Sequence, residues 1–137
     1  MIIDIDNFKA INDRFGHDAG DSILKAVSAV CYAAKRESDI LARIGGEEFA
    51  MLLPETDDGD SLIAAERLLD RVRGCRPVIG PQTVSVTVSI GIASSSSSMF
   101  GIATLIKCAD DALYDAKHSG RNRVASGIVR DQPSLAV

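Results

Sequence analysis

The sequence is short of several things, and each shortage closes off a class of function. Among 137 residues there is no tryptophan, and all aromatics together make up 4%. A base-stacking platform needs more aromatic surface than that. Positive charge is also scarce: 15 Lys and Arg stand against 19 Asp and Glu, a net charge of -4. Gripping a nucleic-acid polymer takes a broad basic face, so no such polymer is expected as a partner. The three cysteines, Cys31, Cys75 and Cys108, are odd in number and show no C-x-x-C spacing. They are expected to be reduced and mostly buried, in a cytoplasmic protein. No secretory leader and no membrane span are visible, so membrane contact by this chain is not expected. What is present is ordinary for a globular chain, 46% hydrophobic and 25% charged, at the length of one domain.

Periodicity supplies the elements. Met1 to Ile5 reads as a buried strand, and Asp6 as the N-cap of a short helix over Asn7 to Arg14. Gly16 to Gly20 breaks the pattern. Asp21 then reads as the N-cap of a helix from Ser22 to Arg36, with Ile23, Leu24, Val27 and Cys31 on one face. Ile40 to Ile44 and Phe49 to Leu53 flank Gly45-Gly46-Glu47-Glu48 as a hairpin. Helices are expected over Ser61 to Arg73 and Ile102 to His118, the second ended by Gly120. Thr83 to Ala93 alternates strictly and reads as one strand, followed by a flexible serine run, Ser94 to Ser98. The order β-α-α-β-β-α-β-α, with a possible last strand, predicts an α/β (α+β) fold on a mixed sheet. The domain is expected over residues 1–125, with a flexible tail over 126–137.

Three features could carry chemistry, and each has a plainer reading beside it. The tip Gly45-Gly46-Glu47-Glu48 pairs two adjacent carboxylates with two glycines, which suggests a nearby cation and a close-approaching ligand. It also reads simply as a polar turn. Asp4, preceded by three apolar residues at a strand end, has no capping role, whereas Asp6 does. A strand-end carboxylate beside a carboxylate-bearing hairpin suits a divalent cation for phosphate chemistry. Lys117 to Arg123 is rich in cations, which also suit any helix C-terminus.

These blocks occur in one order. Asp4-Ile5-Asp6-Asn7-Phe8-Lys9, Gly16-His17-Asp18-Ala19-Gly20-Asp21, Arg36-Glu37-Ser38-Asp39, Arg43-Ile44-Gly45-Gly46-Glu47-Glu48-Phe49, Val86 to Gly91, Ala109 to Lys117 and Gly120 to Arg123 follow one another. Together they resemble the GGDEF family, the diguanylate cyclases of bacteria, in its GGEEF variant. The resemblance covers about residues 1–125. It implies a palm-like sheet flanked by helices and an enzyme that joins two GTP into cyclic di-GMP with release of two pyrophosphates.

By position, the resemblance makes Asp4 and Glu47 the Mg²⁺ (or Mn²⁺) carboxylates, with the carbonyl of Ile5 beside them. Glu48 is expected to assist at the metal or the attacking hydroxyl. Asn12 and Asp21 match guanine-recognising positions. Lys117 and Arg121 match those that hold the β- and γ-phosphates, with Phe8 and Lys9 in the same region. Arg36 and Asp39, with Arg67 on the third helix, match an inhibitory site for cyclic di-GMP. Because one site takes one GTP, the stoichiometry implies a homodimer. The family also carries a further helix before its first strand, and the chain begins inside that strand. The expectation is therefore a shortened domain with weak or absent turnover. The rival reading is a catalytically inactive module that binds GTP or cyclic di-GMP for regulation.

Overall fold

The computed structural model describes residues 1–95 and 100–129. In chain order it contains β1 (Ile2–Ile5), α1 (Phe8–Phe15), α2 (His17–Ala34), β2 (Ile40–Arg43), β3 (Glu48–Leu52) and α3 (Asp58–Gly74). Then come the short β4 (Val78–Ile79) and β5 (Gln82–Thr83), followed by β6 (Val88–Ser94), α4 (Ile102–His118) and β7 (Val124–Ile128). Five strands form one sheet in the order β2-β3-β1-β6-β7, and β4 with β5 makes a separate ribbon. The central β1 is antiparallel to both neighbours, while β6 and β7 are parallel. This is the mixed sheet that the element order predicts, and the palm-like arrangement flanked by helices that the resemblance implies.

The two faces of the sheet are packed differently. Ile3 and Ile5 of β1 join Val88, Ile90 and Ile92 of β6 in the main core, against Ile23 and Val27 of α2 and Leu68, Leu69 and Val72 of α3. Ile2 belongs to a small cluster with Ala109 and Leu113 of α4. Side chains two apart on a strand share a face, so Asp4 and Asp6 lie with Ile2 on the α4 side. On β6 that side carries Ser89, Gly91 and Ala93. The alternation read along this strand is therefore one of size, because Val88 through Ile92 are all buried.

Small residues on that face let α4 lie directly on the sheet backbone. A Cβ at Gly91 would collide with the Ala109 carbonyl and the Leu113 amide, and would stand 2.9 Å from the Leu113 Cα. Gly127 of β7 is in the same position, where a Cβ would be 2.7 Å from the Cys108 Sγ. Ala109, Ala112 and Ala116 of α4 are buried at this contact.

Several local expectations are corrected. Asp6 is not a helix cap. Asn7 takes that position with φ 55 and makes no side-chain cap bond, while Asp6 is buried. Asp21 is not a cap either. Gly16 alone, with φ 89, makes the break, so α2 starts at His17 and Asp21 falls within it. The strand predicted over Thr83 to Ala93 is divided: β5 ends at Thr83 and β6 begins at Val88. β1 ends at Ile5, and the Asp6 amide donating to the Thr87 carbonyl at 2.9 Å is the last rung that β1 offers. α3 begins before Ser61 because Asp57 is its cap, accepting from the Asp60 amide at 2.8 Å.

β7 continues through Ile128 by pairing with β6, so residues 126–128 are strand rather than tail. The rest of the expected tail, from residue 130, lies outside the described residues, as do Ser96 to Ser98 of the serine run. Ser94 belongs to β6. All three cysteines are free, but only Cys31 is buried. Burial lifts its thiol to about 11. No described helix is long and apolar enough to cross a membrane.

The α4 contact has a direct test. Gly91→Ala is expected to destabilise the fold by ~2–4 kcal/mol, because the obstructing atoms are backbone and cannot rotate away. A lower denaturation midpoint at unchanged m-value would show it, and an unchanged midpoint would refute the packing argument.

Candidate active site

The site is assembled at one end of β1. Asp4 pairs with Glu48 across β1 and β3, and the Ile5 amide donates to the Glu47 carbonyl at 3.2 Å. The hairpin tip is thus tied to the strand end beside Asp4. Within the tip, the amides of Ile44 and Gly45 donate to the Glu48 carbonyl at 3.0 and 3.4 Å. Arg43 closes it from outside: Nε donates to the Gly45 carbonyl at 3.1 Å and Nη2 to the Gly46 carbonyl at 2.8 Å. Neither Gly45 nor Gly46 has a positive φ, so the glycines are not required by backbone angle. At Gly45 a Cβ would stand 3.0 Å from Glu48 Oε2, a tight contact with a side chain that can turn away, and at Gly46 a Cβ would meet nothing within 4 Å.

α4 delivers the cations. Because it lies close on the sheet, its last turn reaches Asp4, and Lys117 Nζ donates to Asp4 Oδ2 at 2.8 Å. Burial pushes the Asp4 carboxyl above its ordinary value. The Lys117 hydrogen bond and charge draw it back down, and the charges of Glu47 and Glu48 push it up again. After α4 the chain turns through Gly120 (φ 116), Arg121 (φ 62) and Asn122 (φ 49). The Arg121 amide donates to the Ala116 carbonyl at 3.0 Å, and this turn holds Arg121 near Lys117.

One open cleft of about 510 Å³ gathers Asp4, Ile5, Phe8, Lys9, Glu47, Lys117 and Arg121, with Asp6 and Asp13 also on its wall. Those first seven are all positions singled out from the sequence. Ile5 has its side chain in the core, so what it offers the cleft is main chain. The other predicted residues lie outside this wall. Glu48 leans over Gly45. Asn12 packs against Gly20, where a Cβ would collide with its Oδ1, and Asp21 is exposed on the next position of α2. A glycine inside a helix is explained here by the neighbour it admits.

Arg36 and Asp39 form a separate unit. Arg36 Nη2 reaches Asp39 Oδ1 at 3.0 Å and Thr56 Oγ1 at 2.6 Å, and the Arg36 amide donates to Asp39 Oδ2 at 2.8 Å. Burial pushes the Asp39 carboxyl up, but the hydrogen bonds and charge of Arg36 outweigh it and hold it below its usual range. Arg67 is exposed on α3, and no hydrogen bond or ion pair joins it to this pair among the described residues.

Two participants escaped sequence reading. Asp6, taken for a cap, accepts from Thr87 Oγ1 and Ser89 Oγ, both at 2.6 Å, and from the Asn122 amide at 3.0 Å. Arg43 stands in one of the ordered blocks but is assigned no role there. The signal for Asp6 was available: it shares its strand face with Asp4, and the β6 residues on that face include a hydroxyl.

The donor set suits a hard divalent cation. No group of three or more His, Cys, Asp or Glu side chains is placed to hold a metal among the described residues. Two carboxylates, Asp4 and Glu47, with main-chain oxygen and open space for water and phosphate, match what Mg²⁺ takes when substrate completes its shell. The same positions suit Mn²⁺.

A palm-like sheet with carboxylates at a strand end, a glycine hairpin and three cations, Lys9, Lys117 and Arg121, at one cleft defines the class of domain. The model of the diguanylate cyclase GGDEF domain matches residues 1–123, and the chain belongs to the GGDEF family. Diguanylate cyclase A of Treponema denticola is 39% identical over 124 residues, covering 90% of this chain and 33% of that protein. The chain thus spans about a third of the length of that curated relative. Among solved structures, the GGDEF domain of DgcB from Caulobacter crescentus, in complex with c-di-GMP, superposes with a TM-score of 0.85 at 32% identity, covering 91% of this chain and 74% of that one. The active GGEEF domain of a diguanylate cyclase from Vibrio cholerae gives 0.84 at 34% identity, covering 96% and 81%.

The Asp4–Lys117 pair sets a pH expectation. A carboxyl whose folded pKa is raised binds its proton more tightly when folded. Its contribution to stability is present below the unfolded value of 3.8 and is lost as pH rises through the folded value. Lys117→Met removes a hydrogen bond and a charge that lower that pKa. The Asp4 carboxyl is then expected to titrate higher than in the wild type, read by carboxyl NMR. A titration at or below the wild-type position would contradict the role given to the Lys117 pairing.

Proposed function

We propose that the chain is a diguanylate cyclase domain, condensing two GTP into cyclic di-GMP and releasing two pyrophosphates. The observation that carries this reading is the single cleft onto which Asp4, Glu47, Lys117 and Arg121 all open. The family supports the reaction class, and the GGEEF domain from Vibrio cholerae is described as active.

Each bond-forming step joins a 3′-oxygen of one GTP to the α-phosphorus of another. The bond from that phosphorus to the bridging oxygen breaks, pyrophosphate leaves, and the hydroxyl proton is lost to a base. Mg²⁺ or Mn²⁺, when bound, lowers the pKa of the attacking hydroxyl and offsets charge on the phosphate oxygens. Asp4, Glu47 and the Ile5 carbonyl would hold it. Lys117 and Arg121 hold the β- and γ-phosphates, with Lys117 exchanging its carboxylate partner for a phosphate one. Phe8 and Lys9 stand at the start of α1, where main-chain amides favour phosphate. Asn12 and Asp21 take the guanine, Asp21 accepting from its ring and exocyclic N–H groups. Glu48 stands beside the hydroxyl as the group to receive its proton.

One cleft takes one GTP, so two copies must face each other for the product to close. The same logic supports product binding at Arg36, Asp39 and Arg67. Asp39 is buried and orients an exposed Arg36, and a guanidinium so held can pair with guanine or phosphate.

Incubation with GTP and Mg²⁺ is expected to yield cyclic di-GMP, with a rate that rises faster than linearly with protein concentration. Glu47→Ala should cut turnover by about 100-fold or more. GTP binding without product from the wild type would instead favour a regulatory binding module. Adding cyclic di-GMP should slow the wild type, and Arg36→Ala should resist it. Equal inhibition of the two would remove Arg36 from that role.

A further inference from the structure

The turn that presents Arg121 is unusual for its residues. Arg121 and Asn122 are consecutive and both left-handed, at φ 62 and φ 49. Asn tolerates that region, but Arg has no local reason to enter it. Something outside the turn must hold it there. Within the turn Arg123 Nε donates to the Arg121 carbonyl at 3.1 Å, and two side chains from outside it hold Asn122.

From beneath, buried Asp6 accepts the Asn122 amide at 3.0 Å. Asp6 is itself fixed by Thr87 Oγ1 and Ser89 Oγ, both at 2.6 Å. From the side, Arg73 in the last turn of α3 donates through Nε to Asn122 Oδ1 at 2.8 Å and through Nη2 to the Asn122 carbonyl at 3.0 Å. Asn122 is therefore held at its amide, its carbonyl and its side chain. Arg121, one residue earlier, makes no side-chain bond in its own turn among the described contacts, and it opens onto the cleft.

We propose that Asp6, Arg73 and Asn122 are positioning residues. They hold the 120–123 turn in its left-handed form so that the Arg121 guanidinium is already aimed at the phosphates before substrate arrives. This rests on the reading of Arg121 as a phosphate ligand. It assigns a role to an α3 residue that lies outside the cleft wall, and it changes Asp6 from a helix cap to a support of the substrate site. Preorganisation of this kind acts on affinity, because the turn no longer has to be ordered on binding.

The test uses Arg73→Ala, whose side chain is 41% exposed and whose loss leaves the core untouched. Hydrogen exchange at the amides of 121–123 is read first, then GTP turnover. Exchange is expected to rise about tenfold, with KM for GTP raised about tenfold and kcat within about twofold. Asp70→Ala removes the ion-pair partner of Arg73 (2.8 Å) but none of its bonds to Asn122, and should change neither reading beyond about twofold. Asp6→Asn keeps an acceptor for the Asn122 amide while its amide group can donate to the Ser89 hydroxyl. It should therefore retain most of the protection that Asp6→Ala loses.

Unchanged exchange in Arg73→Ala overturns the proposal. So does raised exchange with an unchanged KM, since the turn would then be ordered without serving the substrate. If the wild type fails to bind GTP at all while the exchange response appears, the functional reading falls and the support of the turn by Asp6 and Arg73 stands.

Discussion

The contact of α4 with the sheet over Gly91 is the constraint from which the site follows. Helix and strand can approach backbone to backbone only where no Cβ intervenes, and Gly91 and Gly127 meet that condition on adjacent strands. The approach fixes how far the last turn of α4 projects past β1. That distance decides whether Lys117 reaches Asp4, 113 residues away in the chain, and it does so at 2.8 Å. The turn carrying Arg121 then starts from a fixed point. Small residues on one face of β6 thus place a cationic pair at a carboxylate that the sequence leaves far away.

Electrostatics at that place is a balance of opposing terms. Asp4 is buried and has Glu47 and Glu48 near it, and both circumstances disfavour its charged form. Lys117 offsets them in part, and the cleft remains open to a second cation source. A buried carboxylate paired with a flexible ammonium is suited to exchange of partners, since the lysine can turn away once another cation arrives. Asp6 is on the same strand face but is used differently. Enclosed by two hydroxyls and an amide, it has the full set of donors that a fixed structural carboxylate needs. Two aspartates separated by one residue therefore divide into one that is available and one that is occupied.

Much of this was legible along the chain, and the failures have a common cause. Helix α4 was read with its boundaries intact, because apolar spacing and Gly120 are local signals. The hairpin around Gly45 was legible for the same reason. Asp6 and Asp21 were both read as caps, since an aspartate before an apolar period is a capping signal wherever it occurs. In the fold one is claimed by β6 and the Asn122 amide, and the other is overtaken by a helix that begins at His17, five residues sooner than expected. The run from Val84 to Thr87 has strand pattern but is not paired as a strand among the described residues, and pattern cannot report where pairing stops. At Gly45 and Gly46 the sequence signals glycines for turn geometry, but neither has a positive φ, and only at Gly45 would a Cβ find the space tight.

By itself the sequence determined the family, the number and kind of main elements, and which residues carry charge in the ordered blocks from Asp4 to Arg123. These depend on residue type, spacing and order, which a chain displays before it folds. Only the tertiary structure decided which of those charges meet. Lys117 with Asp4, Glu47 with the end of β1, and Asn122 between Asp6 and Arg73 are all long-range contacts. Each depends on which backbones lie side by side in the fold, β3 against β1 and α3 and α4 against the sheet, an arrangement that no local pattern encodes.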